Sequence, residues 1–407
     1  MKRIFIIGRS CRNIIPIIVM MTLLFFASCA PAQSLPEAKR IVEIGDMEPL
    51  TGYGASSGQI VLMTNQDYVN YFNEEIGITG VSIELSWTDI GTEPGKAITA
   101  SRRFIDGGAP LLLTSSSYSA DACKSLCEKE ETPLISPSTA VGLIYPPTWI
   151  YCIPPTYAEE FAVLSDFIME NWNEQIPPKM AFIVADSPWG REPLEQGTKY
   201  AESIGVEMLP PEFVPFVTLD ATTQLLRLSD RAVDFVFIQG LAVTAGPVLK
   251  DAERLGLLSK IQFCGNEFGV GETLINMTGN ASEGYLSPRS FPWLNETEIP
   301  GIKLMVDNQM KYHGKKINQP EYLSSVTTAV ACEAIRRAVE NVGYENIDGN
   351  AIKEALDNMK DFDVHGIISI TFTPEDHRGS NKVAIYQIVD EEIMRLSAWR
   401  EAPNLKS

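Results

Sequence analysis

A short apolar run followed by a stretch with apolar residues at helical spacing recurs along residues 41–264, and this alternation leaves the chain few architectures. The runs fall at 41–47 (IVEIGDM), 81–88 (VSIELSWT), 109–114 (APLLLT), 133–136 (PLIS), 180–185 (MAFIVA), 206–213, 233–239 (VDFVFIQ) and 261–264. Helical spacing occupies 60–75, 94–106, 119–131, 161–172, 190–204, 222–231 and 242–255. A run such as MAFIVA has no polar face, so it must be covered on both sides, as parallel strands are in α/β sheets. The alternation runs once to residue 136 and again from 161, which predicts two lobes. A chain of 407 residues with 45% hydrophobic content can fill two cores.

After Gly284 the pattern changes. Residues 291–300 are irregular, 302–312, 322–342 and 352–359 read as helices, and 367–372 and 383–389 as late strands. The apolar stripe of 322–342 reads as core. There is no short internal repeat.

Residues 1–28 read as a signal peptide: Lys2, Arg3, Arg9 and Arg12 precede an apolar segment at 14–26 that Pro16 interrupts. It ends LFFASC, and small residues before Cys29 resemble a bacterial lipobox, which implies cleavage before Cys29, lipidation of that thiol and a membrane anchor. Residues 29–40 then read as a tether of small, Pro and polar residues. Cleavage removes four basic residues and no acid, taking the formal charge from −19 to −23. So acidic a surface repels phosphate backbones and disfavours nucleic-acid partners. Cys123, Cys127, Cys152, Cys264 and Cys332 do not form a recognisable disulfide framework, and their pairing stays open.

Enzyme signatures are weak. Residues 54–58 (GASSG) match G-x-S-x-G around Ser56, but several residues separate them from the first strand, where a nucleophile elbow needs a direct strand-to-turn passage. His313, His365 and His377 do not stand where a catalytic base is expected. The turn at 52–57 lacks the third glycine of a dinucleotide fingerprint. No catalytic residue, cofactor or metal is expected.

Polar loops at the carboxyl ends of strands carry the functional signal, because open α/β sheets bind ligands there. They are 51–53 (TGY), 114–118 (TSSSY), 136–139 (SPST), 186–190 (DSPWG) and 265–267 (GNE). Hydroxyls and free amides at a helix start suit a carboxylate, an acid from a facing lobe suits an ammonium, and an aromatic closes the site. Such a constellation favours a zwitterion such as an amino acid.

In that setting the chain resembles the substrate-binding proteins of ABC importers in the branched-chain amino acid (Leu/Ile/Val) class. The resemblance runs from about residue 41 to 403. It is carried by 44–52 (IGDMEPLTG), 94–97 (PGKA), 114–117 (TSSS), 133–138 (PLISPS), Trp189-Gly190, 265–267 (GNE) and 281–285 (ASEGY). It implies a class I periplasmic-binding-protein fold, α/β, with two lobes each built on a mostly parallel sheet flanked by helices, joined by three crossover strands near 154–156, 286–289 and 370–374. The lobes would be 41–155 with 287–371, and 156–286 with 372–403. It places Ser115, Ser116, Ser117, Ser138 and Thr139 on the ligand's charged groups and Glu267 on its ammonium. Trp189 stands where the family commonly has Tyr, another family tyrosine falls at Leu241 or Ala242, and Ser57 stands where some members carry an aromatic, so specificity does not carry over. Tyr53 and Tyr118 complete the candidate set.

The expected function is capture of a small zwitterion or carboxylate by hinge closure, without covalent chemistry, by a monomeric exported lipoprotein that delivers to an ABC permease. A ligand sensor acting through a partner and an exported serine hydrolase are the alternatives. Aliphatic or aromatic amino acid, amide, urea and aromatic acid all remain open as ligand.

Overall fold

The computed structural model describes residues 40–405, so the expected signal peptide, Cys29 and all but the last residue of the tether lie outside the described residues. The first sheet comprises β1 (Arg40–Glu48), β2 (Val81–Asp89), β3 (Leu111–Leu113), β4 (Leu134–Ser136) and β5 (Ile150–Cys152). Its order is β2-β1-β3-β4-β5 and every pairing is parallel. The helices α1 (Ala55–Tyr71), α2 (Pro94–Asp106), α3 (Ser117–Lys129) and α4 (Val141–Ile144) make its connections.

The chain then passes through α5 (Tyr157–Asn171) into a second sheet. Its strands are β6 (Lys179–Ala185), β7 (Glu207–Met208), β8 (Glu212–Val214), β9 (Phe235–Gln239), β10 (Gln262–Gly265) and β11 (Leu286–Arg289). They are linked by α6 (Pro188–Arg191), α7 (Leu194–Ser203), α8 (Thr222–Asp230), α9 (Ala242–Arg254) and α10 (Glu272–Thr278). The chain returns to the first sheet as α11 (Pro300–His313), α12 (Ser325–Val342), α13 (Gly349–Asp357) and the small pair β12 (Phe362–Asp363) and β13 (Ser369–Ile370). It crosses once more to supply β14 (Lys382–Val389), β15 (Glu392–Arg395) and β16 (Arg400–Glu401). The second sheet runs β15-β14-β11-β10-β9-β6-β7, parallel from β7 to β11 and antiparallel where β14 meets β11.

The cores explain the pattern. Ile44, Val69, Leu113, Val330, Ile335 and Ile352 fill one face of the first sheet, and Phe104, Leu112, Cys123 and Leu134 the other. Ile183, Leu225, Ile238, Val248 and Tyr386 fill one face of the second sheet, and Phe161, Phe182, Phe237 and Ile385 the other. Both sheets are therefore apolar on both sides, as the unalternating runs predict. Cys123, Cys127, Cys152, Cys264 and Cys332 are all buried free thiols.

Four local differences have physical causes. The first helix begins at Ala55, ahead of the helical spacing at 60–75, so Ser56 and Ser57 sit in its opening turn. The strand expected over 206–213 is split into β7 and β8 because Pro210 and Pro211 have no N–H to donate. The helix expected over 190–204 breaks at Pro193. Of the strand expected at 367–372, only Ser369–Ile370 pairs; the amides of Thr371 and Phe372 bond to Gly379 and Met359 instead.

Both sheets reverse their order in the same way. β1 is followed by β2 on one side and β3 on the other; β6 is followed by β7 and β8 on one side and β9 on the other. Loops leaving strands at such switch points splay apart and open a crevice.

Candidate functional site

A cavity of about 170 Å³ occupies that crevice. The first sheet contributes Tyr53, Gly54 and Ser57 after β1, Thr92 after β2, Ser115, Ser116, Ser117 and Tyr118 after β3, and Ser138 after β4. The second contributes Ser187, Pro188 and Trp189 after β6, Phe216 after β8, Leu241 after β9 and Phe268 after β10.

Each wall group is held from behind. Ser115 donates its amide to Glu48 Oε1 at 2.9 Å and its hydroxyl to the other oxygen of the same carboxyl. Glu48 is fully buried beside Asp46, and burial together with the Asp46 charge pushes its carboxyl well above the usual range. Thr114 anchors the loop by donating to the Met47 carbonyl at 2.7 Å. Ser116 caps α3, its oxygen accepting from the Ser119 amide at 3.2 Å. The capping role and a place in the wall thus coexist. Ser138 shares a hydrogen bond with the Tyr157 hydroxyl at 2.5 Å.

Trp189 is presented by a tight turn. Ser187 Oγ accepts from the Gly190 amide at 3.1 Å, and a Cβ at Gly190 would collide with the Ala185 carbonyl, so only glycine allows the approach. The indole stands edge-on to Tyr157 at 5.8 Å between centroids and lies 5.9 Å from Phe216. Tyr53 closes on Phe216 at 4.4 Å. Three polar contacts join the same two halves around the cavity. The Val141 amide donates to Glu192 at 2.8 Å, the Glu272 amide to the Asn318 carbonyl at 3.1 Å, and Gln319 to Thr273 at 2.8 Å.

A family model described as periplasmic binding protein matches residues 41–392. The chain belongs to the periplasmic binding protein family. A branched-chain amino acid ABC transporter protein from Thermus thermophilus, solved with bound valine, is similar over 91% of this chain and 98% of its own, with TM-score 0.84 and 26% identity. A solute-binding protein from Rhodopseudomonas palustris BisB5, solved with 3,4-dihydroxybenzoic acid, shares the fold over 89% of this chain and 98% of its own, with TM-score 0.74 and 21% identity. The Leu/Ile/Val-binding protein of Escherichia coli K12 is 23% identical over 268 residues, 62% of this chain and 70% of that one.

As a periplasmic binding protein the chain is an extracytoplasmic solute-binding protein and not an enzyme. Ser56, the one candidate nucleophile, lies in α1. Among the described residues no group of His, Cys, Asp and Glu is arranged to hold a metal.

The binding protein gathers Tyr53, Ser115, Ser116, Ser117, Tyr118, Ser138, Trp189 and Leu241 in one wall, and leaves Thr139 and Glu267 outside it. Thr139 is turned away, donating to the Pro154 carbonyl at 2.8 Å. Glu267 is 1% exposed and lies behind the wall. Its Oε2 accepts from the Ser290 amide at 2.9 Å, and its own carbonyl accepts from Arg289 Nη1 at 3.0 Å. Glu160 shares this pocket of charge, accepting from Ser290 Oγ at 3.1 Å. Burial pushes both carboxyls up, and the Glu267 charge raises Glu160 further.

Tyr157, Phe216, Phe268 and Glu321 line the cavity without having been expected there. Phe216 follows a proline at the end of a strand, a pattern that marks an exposed loop aromatic. Glu321 enters from the returning segment before α12, where no strand end signals a site.

Proposed function

We propose that this protein captures a small carboxylate-bearing molecule with an aromatic body, foremost an aromatic amino acid, by closing its two halves on it. The observation that carries this reading is the row of rings Tyr53, Phe216, Trp189 and Tyr157 beside the serine loop at the start of α3. The rings supply apolar faces for stacking, and the loop's hydroxyls and helix-start amides suit a carboxylate. Size favours the same class. At roughly 10–15 Å³ per water-sized group, 170 Å³ has room for about 11–17 such groups, the size of an aromatic amino acid. The relatives solved with valine and with 3,4-dihydroxybenzoic acid bracket it chemically.

The closed halves form a surface for an ABC permease, and the protein acts as a monomer in import. The halves are 41–155 with 287–371 and 156–286 with 372–403, except that β11 runs to Arg289 within the second sheet, Trp293 packs in a core of that sheet and Phe372 in a core of the first; the separate cores on the two sheets otherwise support this division. Cleavage before Cys29 and lipidation of its thiol hold the protein to the outer face of the cytoplasmic membrane or in the periplasm. Mass spectrometry of the mature N-terminus with a Cys29→Ser control tests the anchor. Calorimetry with L-phenylalanine, L-tyrosine, L-valine and 3,4-dihydroxybenzoate tests the ligand class: tighter binding of valine than of every aromatic compound removes the aromatic reading.

A further inference from the structure

The cavity has a second polar pole, away from the serine loop. Glu321 lies in the turn Pro320–Ser324 that leads into α12, is 8% exposed and lines the cavity. Ser57, on the first turns of α1, donates to its Oε1 at 2.8 Å. Its Oε2 is buried and has no hydrogen-bond partner among the described residues; the Ser324 hydroxyl, 3% exposed and also in the wall, has none either. Two residues of the wall therefore carry buried polar atoms with bonding capacity to spare, which a native protein tolerates where something else completes it.

The charges point to what completes it. Among the described residues lining the cavity, Glu321 carries the formal charge and no Lys, Arg or His joins it. Behind the wall lie Glu160, Glu267 and Arg289, all at or below 1% exposure. Glu160 Oε2 and Glu267 Oε1 are also unpartnered. The guanidinium is shared: its field reaches Glu321 as well as Glu160 and Glu267. Three buried carboxyls thus face one cation, and burial raises all three, with no Lys, Arg or His among the described residues that line the cavity. A cationic group on the ligand would stabilise the ionised form of such a carboxyl, and among the described residues in the wall the carboxyl placed to meet it is that of Glu321.

We propose that Glu321, held by Ser57, is a ligand-contacting carboxylate that receives a cationic group of the bound molecule. The proposal rests on the reading of the cavity as a carboxylate-binding crevice, and adds that the ligand is a zwitterion. Its two charges are met by separate loops. β1 and β3 are neighbours in the sheet, so the helix start that carries Ser57 and the serine loop at 115–117 stand side by side, one turned to the cation and one to the carboxylate.

The test uses the mature protein and two matched pairs of probes, L-phenylalanine with 3-phenylpropanoate and L-valine with 3-methylbutanoate. In each pair the second compound lacks only the amine. Wild type should bind the amine-bearing member of its preferred pair at least about tenfold more tightly. Glu321→Gln, which keeps shape and the Ser57 contact, should erase most of that preference with the acid-only partner bound as before. Glu267→Gln should retain the preference, and circular dichroism should show both variants folded. Equal binding of the two members by wild type, or a preference that survives Glu321→Gln, overturns the proposal. Selection of the valine pair overturns the aromatic reading alone, because Glu321→Gln still reports on the cation contact within that pair.

Discussion

The Tyr53 and Phe216 rings meet across the crevice with centroids 4.4 Å apart and planes tilted by 44°. Tyr53 follows the first strand of one sheet and Phe216 the third strand of the other, so the contact exists only while the halves are closed. Such aromatic pairs contribute about 0.5–1.5 kcal/mol beyond the area they bury. Phe216→Ala should therefore weaken L-phenylalanine binding by about two- to thirteenfold. Small-angle scattering should show a more open ligand-free molecule. An unchanged affinity and scattering profile would separate this contact from closure.

Glu48 acts on the ligand through Ser115. Its carboxyl is the acceptor for both the amide and the hydroxyl of that residue, and it has no place in the wall itself. Glu48→Ala leaves a partly buried amide unpaired, a loss of about 1–3 kcal/mol. Calorimetry should show weaker binding of both L-phenylalanine and 3-phenylpropanoate, since the serine loop serves the carboxylate they share. If Glu48→Ala lowers only the melting temperature, the loop does not hold the ligand.

Asp46 makes stability depend on pH. Burial lifts its carboxyl from 3.8 to about 6, against the bonds from Asn65 and Glu48 that pull it down. The folded-state value is above the unfolded one, so the protonated form is the stabilising one. That contribution is complete below 3.8 and is lost as pH rises through about 6. The melting temperature should rise by a few degrees between pH 7 and pH 5, and Asp46→Asn should flatten the rise. A melting temperature indifferent to pH in wild type would contradict the assignment.

Glu192 should make closure depend on pH. In the closed form its carboxyl is buried, accepts from the Val141 amide across the halves, and is lifted to about 7 by desolvation, helped by the neighbouring Glu159 and opposed by the Val141 bond. Opening restores water and the ordinary value near 4.5. Closing therefore favours the protonated form, and affinity should fall by at most about tenfold per pH unit as pH rises from 4.5 through 7. Titrations at pH 5 and pH 8 with wild type and Glu192→Gln read this directly. A slope that persists in Glu192→Gln assigns the effect to another group.

The architecture was legible because its signal is repetitive. Runs such as 180–185 and 233–239 exclude water from both faces, and that alone requires covered parallel sheets. The wall residues after β3, β4 and β6 were legible because strand ends advertise their loops. Glu321 was not, since it reaches the cavity from a segment hundreds of residues away from Ser57, and nothing local marks the contact. Glu267 illustrates the reverse. It stands in a loop at a strand end, yet the Ser290 amide and Arg289 draw it behind the wall, and a partner brought in by tertiary packing cannot be read from its neighbours in sequence. Two of the four boundaries that moved did so at Pro193 and at Pro210 and Pro211, where a missing N–H outweighs hydrophobic pattern.

The late strand β14, which pairs with β11, also governs how the chain can be made. The first half waits for the helices that end at Asp357, and the second waits for strands that end at Glu401. During synthesis the second half cannot finish folding until β14 to β16 have emerged, although its parallel strands up to β11 are made long before. A chain cut shortly before Lys382 leaves β11 with a bare edge, and the damage falls on the half whose strands had otherwise all been made.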